Sequence, residues 1–439
     1  MSTTSLPDDQ AAPDVARSSG APDVARGSGA PDVAEHLGGA LELDDERRER
    51  ALADVDADEV EEAVASVQDH PIYAHLGEEE VERIGVELDD LRARTFAKRG
   101  EEDRRYIIRV LRFQQALELL GRASFFGVLL SWWFMVPGIV LLGLSKILDN
   151  MELGHNIMHG QYDFMNDPRF DSRTYEWDHT SSGDGWRHSH NVIHHTYTNV
   201  LGVDRDIGYG LLRVTPEQWH RPKHRWQPLL FVVQALLFDV AIAIHDFEMN
   251  RLLGSRGELS DDLRDAARVS AVKAGRQALK DFVVFPALVG LAALSLPVAF
   301  AVAAGNLAAN LIRNVWTFMI IFCGHFPEGV AHFDMEVLEN ETRAEWYLRQ
   351  MAGSANIDGT RTFSLWTGYL DHQIEHHLFP DCPSHRLRDV AVEVRDLCDR
   401  YDLPYTTGPL TKQFGNVVSR VWKYRRTNEE ILARGLALD

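Results

Sequence analysis

The sequence predicts an all-α fold: a four-span transmembrane helical bundle made of two hairpins, with a cytosolic helical cap. Three observations predict it. Two apolar stretches, Leu117 to Leu148 and Asp281 to Ile321, each read as a pair of spans with almost no loop between them. Residues 160–226 are polar and rich in Trp, His, Asp and Gly, as a water-exposed cap should be. Histidines cluster beside the apolar stretches: His155 and His159 after the first, His325 at the end of the second.

Charge narrows the class of function. The 439 residues carry 45 basic and 66 acidic side chains, a net charge of −21. Residues 1–105 hold 28 of the acids and 12 of the bases, so −16 lies there and −5 on the remainder. No basic face is left over, which argues against a nucleic-acid partner. Three cysteines, Cys323, Cys382 and Cys398, make neither a disulfide framework nor a thiolate metal site, and they suit a reducing compartment. No basic stretch followed by an apolar core opens the chain, so no signal peptide is expected.

Residues 1–40 read as a disordered repeat tail. Ala12 to Gly20, Ala21 to Gly29 and Ala30 to Gly38 each begin Ala-Pro-Asp-Val-Ala, with almost no large apolar residue. Residues 41–110 read as an acidic helical region. Its Val81, Ile84, Leu88 and Leu91 share one face, which docks on the body or meets a redox partner. Residues 111–426 form the membrane domain with its cap, and 427–439 a C-terminal tail.

The first hairpin is predicted as Leu117 to Met135, a turn at Pro137-Gly138, and a second helix from Gly138 that leaves the bilayer near Lys146 or Asp149. Trp132 and Trp133 suit a membrane interface. Residues 250–280 carry Arg251, Arg256, Arg264, Arg268, Lys273, Arg276 and Lys280, the basic excess of a cytoplasmic loop. Asp281 to Leu296 and Pro297 to Ile321 make the second hairpin. Parity then decides Pro228 to Ile244: if it also spanned, the later histidines would face the opposite side. It is therefore read as an interfacial amphipathic helix. Both termini fall on the cytoplasmic side of the cell membrane. Basic Arg420, Lys423, Arg425 and Arg426 suit the cytoplasmic lipid surface.

The chemistry lies in the histidines. His155/His159, His190/His194 and His372/His376 are pairs at i, i+4, which an α-helix places on one face. The doublets His194-His195 and His376-His377 add a ring about 100° round the helix, within reach of a second ion. With His325 the set reaches nine imidazoles, more than one ion accepts, so two metals are the simplest account. Imidazole suits Zn, Cu, Fe and Ni, and a histidine-rich di-iron centre at a membrane surface is the hypothesis. The other ten histidines are read as surface or structural. Asn310 and Asn314 lie on His325's helix face. They either support the ligands, line a substrate tunnel, or hold a helix–helix hydrogen bond.

These residues resemble a family. His155-x3-His159, His190-x3-His194-His195 and Gln373-x2-His376-His377-Leu378-Phe379-Pro380 look like the three histidine boxes of integral membrane fatty acid desaturases. Asn150 to Asn156 and Phe322 to Pro327 bring the resemblance closest to the bacterial stearoyl-CoA 9-desaturase type. It implies a four-span fold with a cytosolic cap and two irons held by histidines, one of them after the fourth span, at His325. It also implies O2 as co-substrate, a fatty acyl-CoA or lipid substrate, and electrons from NAD(P)H through a separate reductase. The third box departs from the family's His-x2-His-His, because Gln373 holds the first position and His372 precedes it. His372 is taken as the ligand for its i, i+4 relation to His376, with Gln373 behind the metal. Ile321 stands where relatives carry an Asn that acts through water, so that role is not transferred. His70-Pro71 continues with Ile72-Tyr73 rather than the Gly-Gly of a fused haem domain, so a ferredoxin or flavoprotein reductase is the expected partner.

The expected reaction is O2-dependent removal of two vicinal hydrogens from a long acyl chain, with the 9 position the family's suggestion. A lipid hydroxylase or ketolase on the same scaffold is the first alternative. A non-enzymatic membrane metal-binding protein or transporter is the second.

Overall fold

The computed structural model describes residues 66–246 and 261–438. The repeat tail, residues 41–65, Arg251 and Arg256 lie outside the described residues. The described part is mostly helical; its one sheet pairs β1 (Asn356–Asp358) with β2 (Thr407–Pro409) in parallel.

Helix α1 (Glu78–Phe96) has three acids in its first turn, where they complement the helix dipole. Its stripe Val81, Ile84, Leu88 and Leu91 is buried in one core with Tyr347, Leu348, Val390 and Val394, so this stretch docks on the body. Helix α2 (Glu101–Phe126) starts at Gly100, whose N–H donates to Asp103 at 2.7 Å, and runs unbroken into the apolar stretch. The first turn comes earlier than predicted. Two 3-10 turns, Gly127–Leu129 and Trp132–Phe134, reverse the chain before Pro137. Pro137 instead sits in the first turn of α3 (Met135–Ile147), where no intrahelical N–H is lost. Leu130, Trp132 and Trp133 are exposed at this tip. The first hairpin therefore pairs α2 with α3, not two helices inside 117–148. At Gly121 a Cβ would lie 2.9 Å from the Leu142 backbone, so the two helices cross in contact only because no side chain intervenes.

Helix α3 continues through a π-helical segment, Leu148–His155, to Met158. The chain then runs through short helical turns and loops that include a second π-helical segment, Arg187–His194. Helices α4 (Gln227–Leu236) and α5 (Phe238–Asp246) follow, meeting at a 97° bend. They present Leu229, Val232, Val233, Leu237, Val240 and Ile244 outward. Helix α6 (Asp261–Leu279) runs through a π turn into α7 (Phe285–Ala292). A tight turn with Leu294 in the left-handed region, Ser295 N–H donating to Gly290 C=O at 2.9 Å, leads into α8 (Leu296–His325).

Among the described residues, two helices are long and apolar enough to cross a membrane, Trp132–Met158 and Leu296–His325; the bent α4–α5 pair would be a third if it were one span. Beyond α8 come α9 (Arg343–Ala352), the strand pair, α10 (Gln373–Leu378), α11 (Leu387–Tyr401) and α12 (Leu410–Lys423). Charge is buried where these helices meet. Lys146 donates to Asp178 and Asp281, each at 3.0 Å. Arg313 donates to Asp239 and, at 3.1 Å, to the Asp178 carbonyl.

Candidate metal centre

The fold gathers histidines from four separate places. His155 ends the π-helical extension of α3, and His159 closes the helical turn after it. His190 and His194 lie on the second π-helical segment and His195 caps it. His325 ends α8, and His376 and His377 sit on α10. His155 and the second box thus stand on π-helix rather than on the α-helix predicted, while His159 follows an α-helical turn. The i→i+5 bonding of the π-helix widens the turn, a feature frequent at functional sites.

The ligand atoms of His155, His159, His190 and His376 lie within 4.8 Å of one another, and so do those of His194, His325 and His377. His195 stands between the groups: its ring centroid is 4.6 Å from His159, 4.8 Å from His376 and 4.3 Å from His377. The rings are buried, apart from the partly exposed His190.

His372 does not join them. Its nitrogens lie 3.8 and 3.9 Å from Asp371 and Glu375, and it belongs to neither group. The reason is local. His372 precedes the first turn of α10 with φ −112° and ψ 56°, off the helix, so the i, i+4 rule fails to bring it over His376. Gln373 occupies the near position instead, its side-chain amide 2.9 Å from His325 Nε2.

Whether these residues suit a metal is decided by their nitrogens. His159 Nε2, His194 Nε2, His195 Nδ1, His325 Nδ1, His377 Nε2 and both nitrogens of His376 are buried with no hydrogen-bond partner. A buried polar group left unpaired costs about 1–3 kcal/mol, so these six rings, each with an unmet nitrogen and able to offer one lone pair, call for an occupant that accepts lone pairs. On several rings the other nitrogen is already held. His155 Nδ1 donates to Asn156 Oδ1 at 3.0 Å, His194 Nδ1 to Asp204 at 3.1 Å, and His377 Nδ1 to Gln350 Oε1 at 3.0 Å. Such bonds fix the tautomer and leave Nε2 free for a metal. Burial, then the neighbouring imidazoles, hold His195, His376 and His377 well below the ordinary histidine value. Neutral imidazole is the metal-binding form. Burial also pulls His194 down, but Asp204 and Asp206 outweigh it and its value is raised. The donor set fits imidazole-bound iron, though it would hold zinc or copper as well.

Several working residues were not singled out from sequence. Asp206 lies 3.7 Å from both His190 Nδ1 and His194 Nδ1 and 2.8 Å from His245 Nε2. Buried Glu375 accepts from Asn356 and Tyr405, each at 2.9 Å, and Asn356 in turn accepts from the Ile374 N–H at 2.9 Å, which anchors α10. Burial raises the Glu375 carboxyl above its usual range. The acids at 204 and 206, ten and twelve residues past His194 in a polar stretch, were the available signal. Asn314 donates to the Leu236 carbonyl at 2.8 Å, tying α8 to α4 as a helix–helix bond. Asn310 is half-buried one turn earlier. A narrow cavity of about 40 Å³ opens against the histidines, lined by Asn150, Trp186, Thr317, Ile321, His325 and Gln373 among others.

The fatty acid desaturase family model matches residues 130–409. An NADPH-dependent stearoyl-CoA 9-desaturase of Mycobacterium tuberculosis is 42% identical over 375 residues, 83% of this chain and 86% of the relative. An sn-1 linoleoyl-lipid 6-desaturase of Synechocystis sp. is 26% identical over 291 residues, 63% of this chain and 76% of the relative. No solved structure matches. All three boxes fall inside the matched residues, and the chain is an enzyme that belongs to the fatty acid desaturase family.

Proposed function

We propose that the enzyme introduces a double bond, at position 9, into the acyl chain of a long-chain acyl-CoA, using two irons. The convergence of seven unpartnered histidine nitrogens on one buried volume carries this reading. His155, His159, His190 and His376 would hold one iron and His194, His325 and His377 the other, with His195 between them. His372 is left out of the set. Asp204, Asn156 and Gln350 keep the rings aimed inward. Gln373 fixes the orientation of His325.

Bound iron supplies the oxidising power to remove hydrogen from an unactivated methylene. The balance is one –CH2–CH2– unit, O2, two electrons and two protons giving –CH=CH– and two waters. The protein holds the methylene pair in the cavity bounded by Trp186, Thr317 and Ile321, and excludes water from it. Electrons come from NADPH through a separate protein, as the name of the mycobacterial relative suggests. In the membrane we place the apolar part of α2 from Leu117, α3, α7 with the π turn before it, and α8 as four spans in two hairpins, with the bent α4–α5 pair at the interface. Both chain ends and the metal centre then share the cytosolic side.

The test is to incubate membranes containing the protein with stearoyl-CoA, NADPH, O2 and a reductase system, and to read the fatty acid methyl esters by mass spectrometry. An 18-carbon acid with one double bond at carbon 9 is expected. A hydroxylated acid would move the enzyme to the alternative chemistry, and no O2-dependent product would end the reading.

A further inference from the structure

Just before α4 the surface carries a pocket of about 460 Å³, lined by Arg225, Arg425, Arg426, Glu430, Ala433 and Arg434. Four guanidinium groups meet one carboxylate there. Arg225 takes up that carboxylate, Glu430, at 2.8 Å. No lining carboxylate is left for Arg425, Arg426 and Arg434. Burial, then Arg425 and Arg434, lower the Arg426 guanidinium below its ordinary value, so the three cations repel one another. Arg425 lies over the Trp422 ring, 3.8 Å from its centroid, and its Nε is buried with no hydrogen-bond partner. A buried N–H in that state calls for an acceptor, and the uncompensated charge calls for an anionic one.

Two helices lead away from the pocket with the same order of side chains. Along α4, Arg225 is followed by Trp226, Leu229 and Val233. Along α12, read backwards from just past its end, Arg425 is followed by Trp422 and Val418. All five apolar residues are exposed, Trp226 by 70% and Trp422 by 53%. Leu229 and Val233, four apart, share a face of α4, as Val418 and Trp422 do on α12. The two helices run antiparallel. Gln227 Nε2 donates to the Val421 carbonyl at 2.6 Å, and the Phe231 ring lies 6.0 Å from Phe414. Both series therefore point the same way, from charge to indole to aliphatic. The far end of α4 is tied to Asn314, about three turns before His325 on α8, so the aliphatic ends lie toward the bilayer interior. Cations at the headgroups, indoles at the interface and aliphatics beneath are the order that a bilayer surface selects.

We infer that this pocket binds the phosphate of an anionic phospholipid from the surrounding leaflet, whose acyl chains lie along Leu229, Val233 and Val418. A zwitterionic headgroup would bring a cation of its own against the arginines. The lipid is a bound partner and not the substrate, since no residue of the inner cavity lines this pocket. The inference rests on the proposed place of α4 at the bilayer surface and is independent of the reaction.

The test uses the full chain purified in an uncharged detergent. It is titrated with dioleoyl phosphatidylglycerol, dioleoyl phosphatidylcholine and inorganic phosphate, and bound molecules are counted by native mass spectrometry. Each basic residue beside an anionic lipid is worth about fivefold in affinity. Phosphatidylglycerol should bind roughly tenfold tighter than phosphatidylcholine, and Arg425→Gln with Arg434→Gln should weaken it about 25-fold. Equal affinity for the two lipids, or a double variant that binds like the unaltered chain, overturns the site. Arg169→Gln with Arg173→Gln removes two exposed arginines elsewhere and should change nothing; an equal loss there traces binding to net charge and also overturns it. Inorganic phosphate bound as tightly as the lipid, or displacement of the lipid by an equal concentration of CoA, sinks the lipid assignment. Should the double variant not fold, Arg434→Gln alone, on the exposed rim, should weaken binding about fivefold, and unchanged binding there overturns the site. Product formation is measured alongside: its absence retires the proposed reaction and leaves the lipid site standing.

Discussion

Gln373 and His372 are neighbours in the chain with opposite fates: one bonds His325 at 2.9 Å, the other faces Asp371 and Glu375. Replacing each box residue by Ala should therefore separate them. His376→Ala should lose at least half of the iron, read by elemental analysis of purified protein, whereas His372→Ala should keep nearly all of it. Equal loss from both would restore His372 to the ligand set. Asp204 acts one step back from the metal, since its carboxylate holds His194 Nδ1. Asp204→Asn keeps the shape but loses the charge, and supporting residues of this kind change metal affinity by about 10–100-fold. Competition with a chelator should show a weakening in that range, and unchanged affinity would reduce Asp204 to a structural residue. The histidines themselves were legible because their pattern is local. Gln350 and Asn356 were not, because each acquires its role through the approach of a different part of the chain.

At the scale of elements, the predicted stripe on α1 is buried as expected, because four apolar residues at 3-4-3 spacing have few other places to go. The first hairpin was misread by about ten residues. Hydropathy treated 117–135 as one span, but Gly127 and Ser131 let the chain reverse inside it, and α2 begins far upstream among charges. Periodicity also missed the buried ion pairs that brace the helices. Arg313 is 1% exposed and donates to Asp239 of α5. Removing one partner of a buried pair leaves an uncompensated charge and typically costs about 3–5 kcal/mol. Arg313→Met should accordingly lower the thermal unfolding midpoint by several degrees, and Arg313→Met with Asp239→Asn should recover part of it. A double variant no better than the single would show that the pair does not act as a unit.

For the whole molecule, the question is which side of the membrane each part occupies. The proposed arrangement puts both hairpin tips, near Leu130 and Leu294, on the side opposite the cap, and both residues are largely exposed. A cysteine at Leu294 should react with an impermeant maleimide from outside the cell, whereas one at Gly100 or Leu436 should react only after permeabilisation. Labelling of Leu436→Cys from outside would break the arrangement, since it would part the chain's end from the cytosolic site. Parity reasoning needed only that the clusters meet, and the structure brings their rings together. The 97° bend between α4 and α5 had no signature in composition, for nothing in Gln234 to Asp239 forbids a straight helix.

By itself, the sequence determined the available chemistry: many imidazoles in four short places, beside apolar segments, with no basic face and few thiols. It could do so because ligand type and local spacing are properties of neighbouring residues. Only the tertiary structure decided which rings converge, which neighbour of a box is left out, and which carboxylates hold the rings in place. Those outcomes depend on backbone angles at helix ends, as at His372, and on contacts between residues far apart in the chain, which no local pattern encodes.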